Sequence, residues 1–178
     1  AEQLCADWDS RFTGNAPFHT HQIQQRVDEP QLIGIINVTP DSFSDGGLFF
    51  DPDRAIDRAL ELVDEGADII DIGGETTRPG SKPITAETEI SRVIPVIERL
   101  APKIDVPISI DTYKSVVAER AIEAGAEIIN DISALNFDPK MAESASHHDV
   151  PVVLMHIKGT PENMQQNPYY QSLISEII

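Results

Sequence analysis

Cysteine is nearly absent. Cys5 is the only one in 178 residues, so no disulfide can form within the chain, and a cytoplasmic setting fits. No apolar run approaches the roughly 18 residues needed to cross a bilayer, which argues against a membrane protein. Basic residues are scarce: 13 Lys and Arg against 30 Asp and Glu leave a net charge of −17. That balance speaks against a nucleic-acid partner, because phosphate binding needs clustered Lys and Arg. It leaves room for an anionic small molecule held by a few local groups, with the remaining acids forming a solvated shell. Ala1 to Pro30 also lack the basic start and apolar stretch of a secretory signal.

What is present suits one globular domain with a sizeable core: 40% of residues are hydrophobic and 24% charged. Residues 1–30 carry Trp8, Phe12, Phe18, His19 and His21 without clear periodicity and read as an arm or linker; the two histidines read as surface residues rather than a metal pair. From Leu32 a rhythm sets in. Short Ile- and Val-rich runs at 32–38, 68–73, 106–111, 127–132 and 150–156 are apolar on consecutive positions, as in parallel strands buried on both faces. Helical segments lie between them. Asp51-Pro52 supplies an N-cap and first turn for a helix with Ile56, Leu60 and Val63 on one face, ended by Gly66. A second starts near Thr85 with Glu87 and Glu89 in its first turn, buries Ile90, Val93, Ile94, Ile97 and Leu100, and should kink or break at Pro95. A third spans about Lys114 to Glu123 and stops at Gly125, a shorter one follows Asp138-Pro139, and another begins near Pro168. The echo between Glu65–Ile72 and Ala124–Asp131 supports a βα repeat of about 30 residues, hence a parallel α/β sheet with right-handed crossovers. Spacing alone leaves two architectures open, a doubly wound sheet and a (β/α)8 barrel.

Polar and glycine-rich residues gather where each strand ends, the edge at which parallel α/β folds build their sites. They are 37-NVTPDSFSDGG-47, 71-DIGGETTRPGS-81, Asp111-Thr112, Asn130-Asp131 and 155-MHIKGTPENMQ-165. Buried carboxylates and amides need partners, and a polar ligand supplies them. Of Asn130 and Asp131, one is expected to face a ligand and the other to brace its loop. His156 reads equally as a packing residue or a catalytic one, and Phe49-Phe50 as packing.

These five segments, in this order and spacing over residues 32–170, closely resemble the dihydropteroate synthase family. The one departure, Thr76 where the family more often has Ser, is chemically mild. The resemblance implies a TIM barrel over 31–178, of which this chain carries about five βα units. It implies condensation of 6-hydroxymethyl-7,8-dihydropterin pyrophosphate with p-aminobenzoate to 7,8-dihydropteroate and pyrophosphate. Asp111, Asn130 and Thr77 then fall on the pterin; Phe43, Arg78 and Pro79, on two mobile loops, fall on p-aminobenzoate; and Asn37 falls on Mg2+ beside the pyrophosphate. Asp45 becomes a loop partner or metal-side group. The family's later anion-binding and pterin-binding residues match nothing before Ile178, so the chain by itself is expected to lack a complete site and to be inactive. A homodimer when complete and a sulfonamide target are implied as well. Two other readings stay open: a pterin-dependent methyltransferase, which should not need the two long loops, and a non-catalytic pterin-binding relative.

Overall fold

The computed structural model describes residues 30–39 and 51–177. The chain divides between Gln31 and Leu32, and everything below concerns the second unit. Its elements alternate: β1 (Ile33–Asn37), α1 (Pro52–Asp64), β2 (Ile69–Gly73), α2 (Ala86–Leu100), β3 (Ile108–Asp111), α3 (Ser115–Ala124), β4 (Ile128–Asp131), α4 (Met141–His148), β5 (Val152–Leu154) and α5 (Leu173–Ile177). Among the described residues no helix is long and apolar enough to cross a membrane.

Local chemistry sets the helix ends. The Asp51 carboxylate accepts from the Asp53 N–H, with Pro52 opening α1, and the Thr85 hydroxyl accepts from the Thr88 N–H at the start of α2. Gly66 and Gly125 follow α1 and α3 at φ of 102° and 118°, a left-handed conformation that disfavours any side chain. The start of α3 is capped from a distance: Asp138 accepts from the Ser115 N–H at 2.8 Å and from the Lys140 N–H at 2.9 Å, so one carboxylate serves the starts of two helices. Of the kink or break expected at Pro95, the break does not occur: α2 runs through it. Val93, Ile94, Val96 and Ile97 around it are buried, and their packing holds the turn despite the missing N–H. The last helix is shorter than expected, confined to Leu173–Ile177.

The five strands form one parallel sheet in the order β1-β2-β3-β4-β5. A doubly wound sheet reverses its order at a switch point, and this one does not; the sequential order is that of a TIM barrel. Ile36, Ile70, Ile72, Ile108, Ile110 and Ile129 turn to the helices and pack with Ile56, Val93, Ile97, Leu100 and Val117 in the core. Gly34 lies on the same face, where an added Cβ would come within 3.1 Å of the Leu62 and Ile70 side chains. The alternate positions form the inner face, away from the helices.

Candidate functional site

Register brings Asn37, Gly73, Asp111, Asn130 and Val153 into one row across the sheet. Side chains alternate along a strand, so the row below it holds Ile35, Asp71, Ser109 and Ile128 on the same inner face. The inner face is therefore apolar at β1 and β5, where Ile35 and Val153 are exposed, and polar across β2 to β4.

Asp111 is the centre of this polar patch. Burial pushes its carboxyl up to about 7, and the carboxylates of Asp71, Glu89, Asp131 and Glu75 push in the same direction. No hydrogen-bond donor among the described residues reaches it. Gly73 makes room for it: a Cβ there would lie 3.3 Å from Asp111 Oδ2. Asn130 donates from Nδ2 to Asp71 Oδ2 at 3.0 Å. Asp71 is buried, and its other oxygen has no partner among the described residues.

Asp131 points the other way. Fully buried, it accepts from the Ser133 N–H and hydroxyl, both at 2.8 Å, and from the Leu135 N–H at 2.9 Å. Of the Asn130–Asp131 pair, the asparagine faces the inner side and the aspartate braces the loop. Asn37 ends β1 with its side chain exposed in the same row.

The segment after β2 carries Thr77, half-buried, and Arg78 and Pro79, exposed. It turns through Gly80 at φ 82°, whose N–H donates to the Pro161 carbonyl at 2.9 Å, so this loop rests on the segment after β5. Its base is fixed by a buried network that sequence reasoning missed. Lys114 Nζ meets Glu75 at 2.6 Å and Glu89 at 2.5 Å, Tyr113 donates to Glu75 at 2.6 Å, and the Ile84 N–H adds a fourth bond. Burial opposes the charge on Lys114, but the two glutamates outweigh it and raise its pKa. Burial and the Glu75 bond push the Tyr113 hydroxyl up to about 12. Gly74 permits the approach of α2, since a Cβ there would meet Val93 at 2.8 Å. Beside the network, Tyr113, Phe137, Ser81, Pro83 and Pro161 help line a cavity of about 270 Å³; neither Asp111 nor Asn130 reaches it. His156 is exposed and hydrogen-bonds the Tyr170 hydroxyl at 2.8 Å. Phe43 and Asp45 lie outside the described residues, as does the rest of 40–50.

Residues 33–178 match the model of the family described as pterin binding enzyme. The chain belongs to that family. Among curated relatives, dihydropteroate synthase of Bacillus subtilis is 58% identical over 161 residues, 90% of this chain and 55% of the relative. Dihydropteroate synthase of Xanthomonas albilineans, solved with 4-aminobenzoic acid, superposes with a TM-score of 0.74 at 46% identity, covering 84% of this chain and 52% of that one. The Yersinia pestis enzyme, solved as a sulfonamide drug complex, gives 0.73 at 48% identity, covering 83% and 53%. The chain spans about half the length of the curated relatives it matches.

Proposed function

We propose that the protein carrying this chain is a dihydropteroate synthase. It joins 6-hydroxymethyl-7,8-dihydropterin pyrophosphate to p-aminobenzoate, with release of pyrophosphate, in folate biosynthesis. One observation carries the reading: Asp111, a half-buried carboxylate with no donor among the described residues, stands in register beside Asn130 on the inner face. A pterin's guanidine-like edge offers N–H donors to such a carboxylate, and its ring adds acceptors and donors for an amide. Burial makes Asp111 costly to leave without that partner. The ligands named for the two solved neighbours, p-aminobenzoate and a sulfonamide, fit the second substrate and a competitor for it.

Division of labour follows from where residues sit. The pterin rests on Asp111 and Asn130, which rigid strands hold, with Thr77 above them. Arg78 and Pro79, together with Phe43, belong to loops and serve p-aminobenzoate. Cleavage of the pterin C–O bond sends the electron pair to pyrophosphate, and the aniline nitrogen then bonds the methylene carbon and loses a proton. Little activation of that nitrogen is needed, so orientation counts most. Asn37 would hold Mg2+. An amide oxygen fits an ion that keeps several waters and takes phosphate oxygens from its substrate. Bound there, Mg2+ would stabilise charge on the leaving pyrophosphate. A cytoplasmic homodimer belongs to the same reading.

The test is direct. The full gene product is given the pterin pyrophosphate and p-aminobenzoate, and dihydropteroate and pyrophosphate are quantified together. Formation of both in equal amounts is expected. Tight pterin binding without product would favour a non-catalytic relative, and absence of pterin binding would overturn the assignment.

A further inference from the structure

Asp71 lies one row below Asp111 and Asn130 on the same inner face. Among the described residues Asn130 donates to it through Nδ2 at 3.0 Å, and the Ser109 hydroxyl offsets part of the burial that raises its pKa. Asp71 is 5% exposed, so water cannot readily replace either. Asn130 carries one donor group and one acceptor, and which of them faces a ligand depends on what holds the other. Asp71 Oδ2 accepts from the Asn130 amino group. That group therefore turns down toward Asp71, leaving Oδ1 toward the barrel mouth, where nothing among the described residues donates to it.

We propose that Asp71 is a positioning residue that locks the Asn130 amide with its oxygen outward, so that Asn130 and Asp111 together present acceptors to a donor-bearing heterocycle. This rests on the pterin reading above and deepens it: Asp71 decides which hydrogen-bonding edge of the ring is accepted. Ligands that would need the Asn130 amino group outward in place of its oxygen are disfavoured, because one of its two N–H groups already donates to buried Asp71. In Asp71→Asn the constraint disappears, since an amide at 71 accepts or donates and Asn130 is free to turn over.

The experiment is a double-mutant cycle in the full gene product, with 6-hydroxymethylpterin as calorimetric probe. Asp71→Asn should weaken binding about tenfold, the scale of one hydrogen bond, and leave the KM for p-aminobenzoate unchanged. Asn130→Ala should weaken binding at least as much. Because Asp71 acts through Asn130, adding Asp71→Asn to Asn130→Ala should cost no more than about a further twofold. Losses that multiply in the double variant, or an Asp71→Asn variant that binds normally, would overturn the proposal. Should Asp71→Asn fail to fold, the unsubstituted protein still decides. The side-chain NH2 of Asn130, followed by nitrogen-15 NMR, should show one proton shifted downfield and slow to exchange; an amide that exchanges freely would refute the lock. If the probe does not bind the unsubstituted protein, the pterin reading fails, and the NMR signature tests the lock by itself.

Discussion

Replacing Asp111 by asparagine should make the protein more stable and less functional, with a pH dependence that identifies the cause. Burial and four neighbouring carboxylates hold the Asp111 carboxyl at about 7 against an ordinary value of 3.8. At ~1.4 kcal/mol per pH unit this corresponds to a penalty of about 4 kcal/mol once the group is ionised in the folded state. Below pH 3.8 the folded and unfolded chains both hold the proton and no penalty exists. Between 3.8 and 7 the folded chain keeps a proton that the unfolded chain has lost, so stability falls as pH rises; above about 7 the loss is complete. Asparagine has the same shape and no charge, so Asp111→Asn escapes this loss. Solvent at the barrel mouth screens part of it, and about 2 kcal/mol should survive. Urea unfolding of the full gene product and the variant at pH 5, 6, 7 and 8 measures the difference. The two should already differ by over a third of the full amount at pH 5 and separate further up to about pH 7, with the variant ahead by about 2 kcal/mol at pH 8. The same variant should bind pterin at least tenfold more weakly, as a charge-assisted pair is lost. A stability difference that stays constant across this range, or a variant less stable at pH 8, would refute the idea that Asp111 is held uncompensated for a ligand.

Other substitutions separate structural groups from ligand-facing ones. Asp131→Ala removes an acceptor shared by three donors and should cost about 2–4 kcal/mol in chemical denaturation, with a smaller loss of pterin affinity than Asn130→Ala. Lys114→Met leaves Glu75 and Glu89 buried without their cation and should cost about 3–5 kcal/mol, read as a lowered urea midpoint. Arg78→Ala should raise the KM for p-aminobenzoate about tenfold or more while calorimetric pterin affinity stays within twofold; equal loss of both would invert the division of labour. A polypeptide of residues 1–178 by itself presents Ile33, Ile35, Val153, Leu154 and Met155, each at least 43% exposed, along the first and last strands. Edges of that kind recruit other chains, so it should sediment as aggregates and show no sharp thermal transition; a monodisperse 19.6 kDa monomer with a cooperative transition would contradict this.

The parts of the structure set by neighbours in sequence were legible from it. Asp51, Thr85, Gly66 and Gly125 act within one helical turn of where they stand, and each does what its type suggests. The five strands and their polar ends were legible for the same reason. At Pro95 the expected break does not occur, because the local cost of proline is outweighed by the buried stripe on both sides. The Lys114 network was invisible because its partners lie 25 and 39 residues away, on other elements. Asp138 capping α3 from 23 residues downstream is hidden in the same way. The choice between Asn130 and Asp131 required knowing which side chain points inward, and alternation along β4 supplied it once the register was known.

Asp71 is the instructive omission, because its signal was local after all. The strands looked uniformly apolar, yet Ile69–Gly73 reads Ile-Ile-Asp-Ile-Gly and Ile108–Asp111 reads Ile-Ser-Ile-Asp. From Ile70 onward, and throughout β3, isoleucine alternates with a polar or small residue. In an antiparallel sheet such alternation means that one face is in water. Here Asp71 and Ser109 are buried at 5% and 3% exposure, so water is not what the polar positions meet. A buried polar row on one face, opposite a core of Ile70, Ile72, Ile108 and Ile110 on the other, costs stability unless its groups are paired. The pairing is partial: Asn130 and Ser109 satisfy one side of Asp71, while its second oxygen and the Asp111 carboxylate have no donor among the described residues. What remains unmatched is mainly carboxyl oxygens, one on Asp71 and those of Asp111 at the end of β3. A ligand that brings N–H donors to that row completes the pairing, and the deficit it fills is itself a description of the ligand.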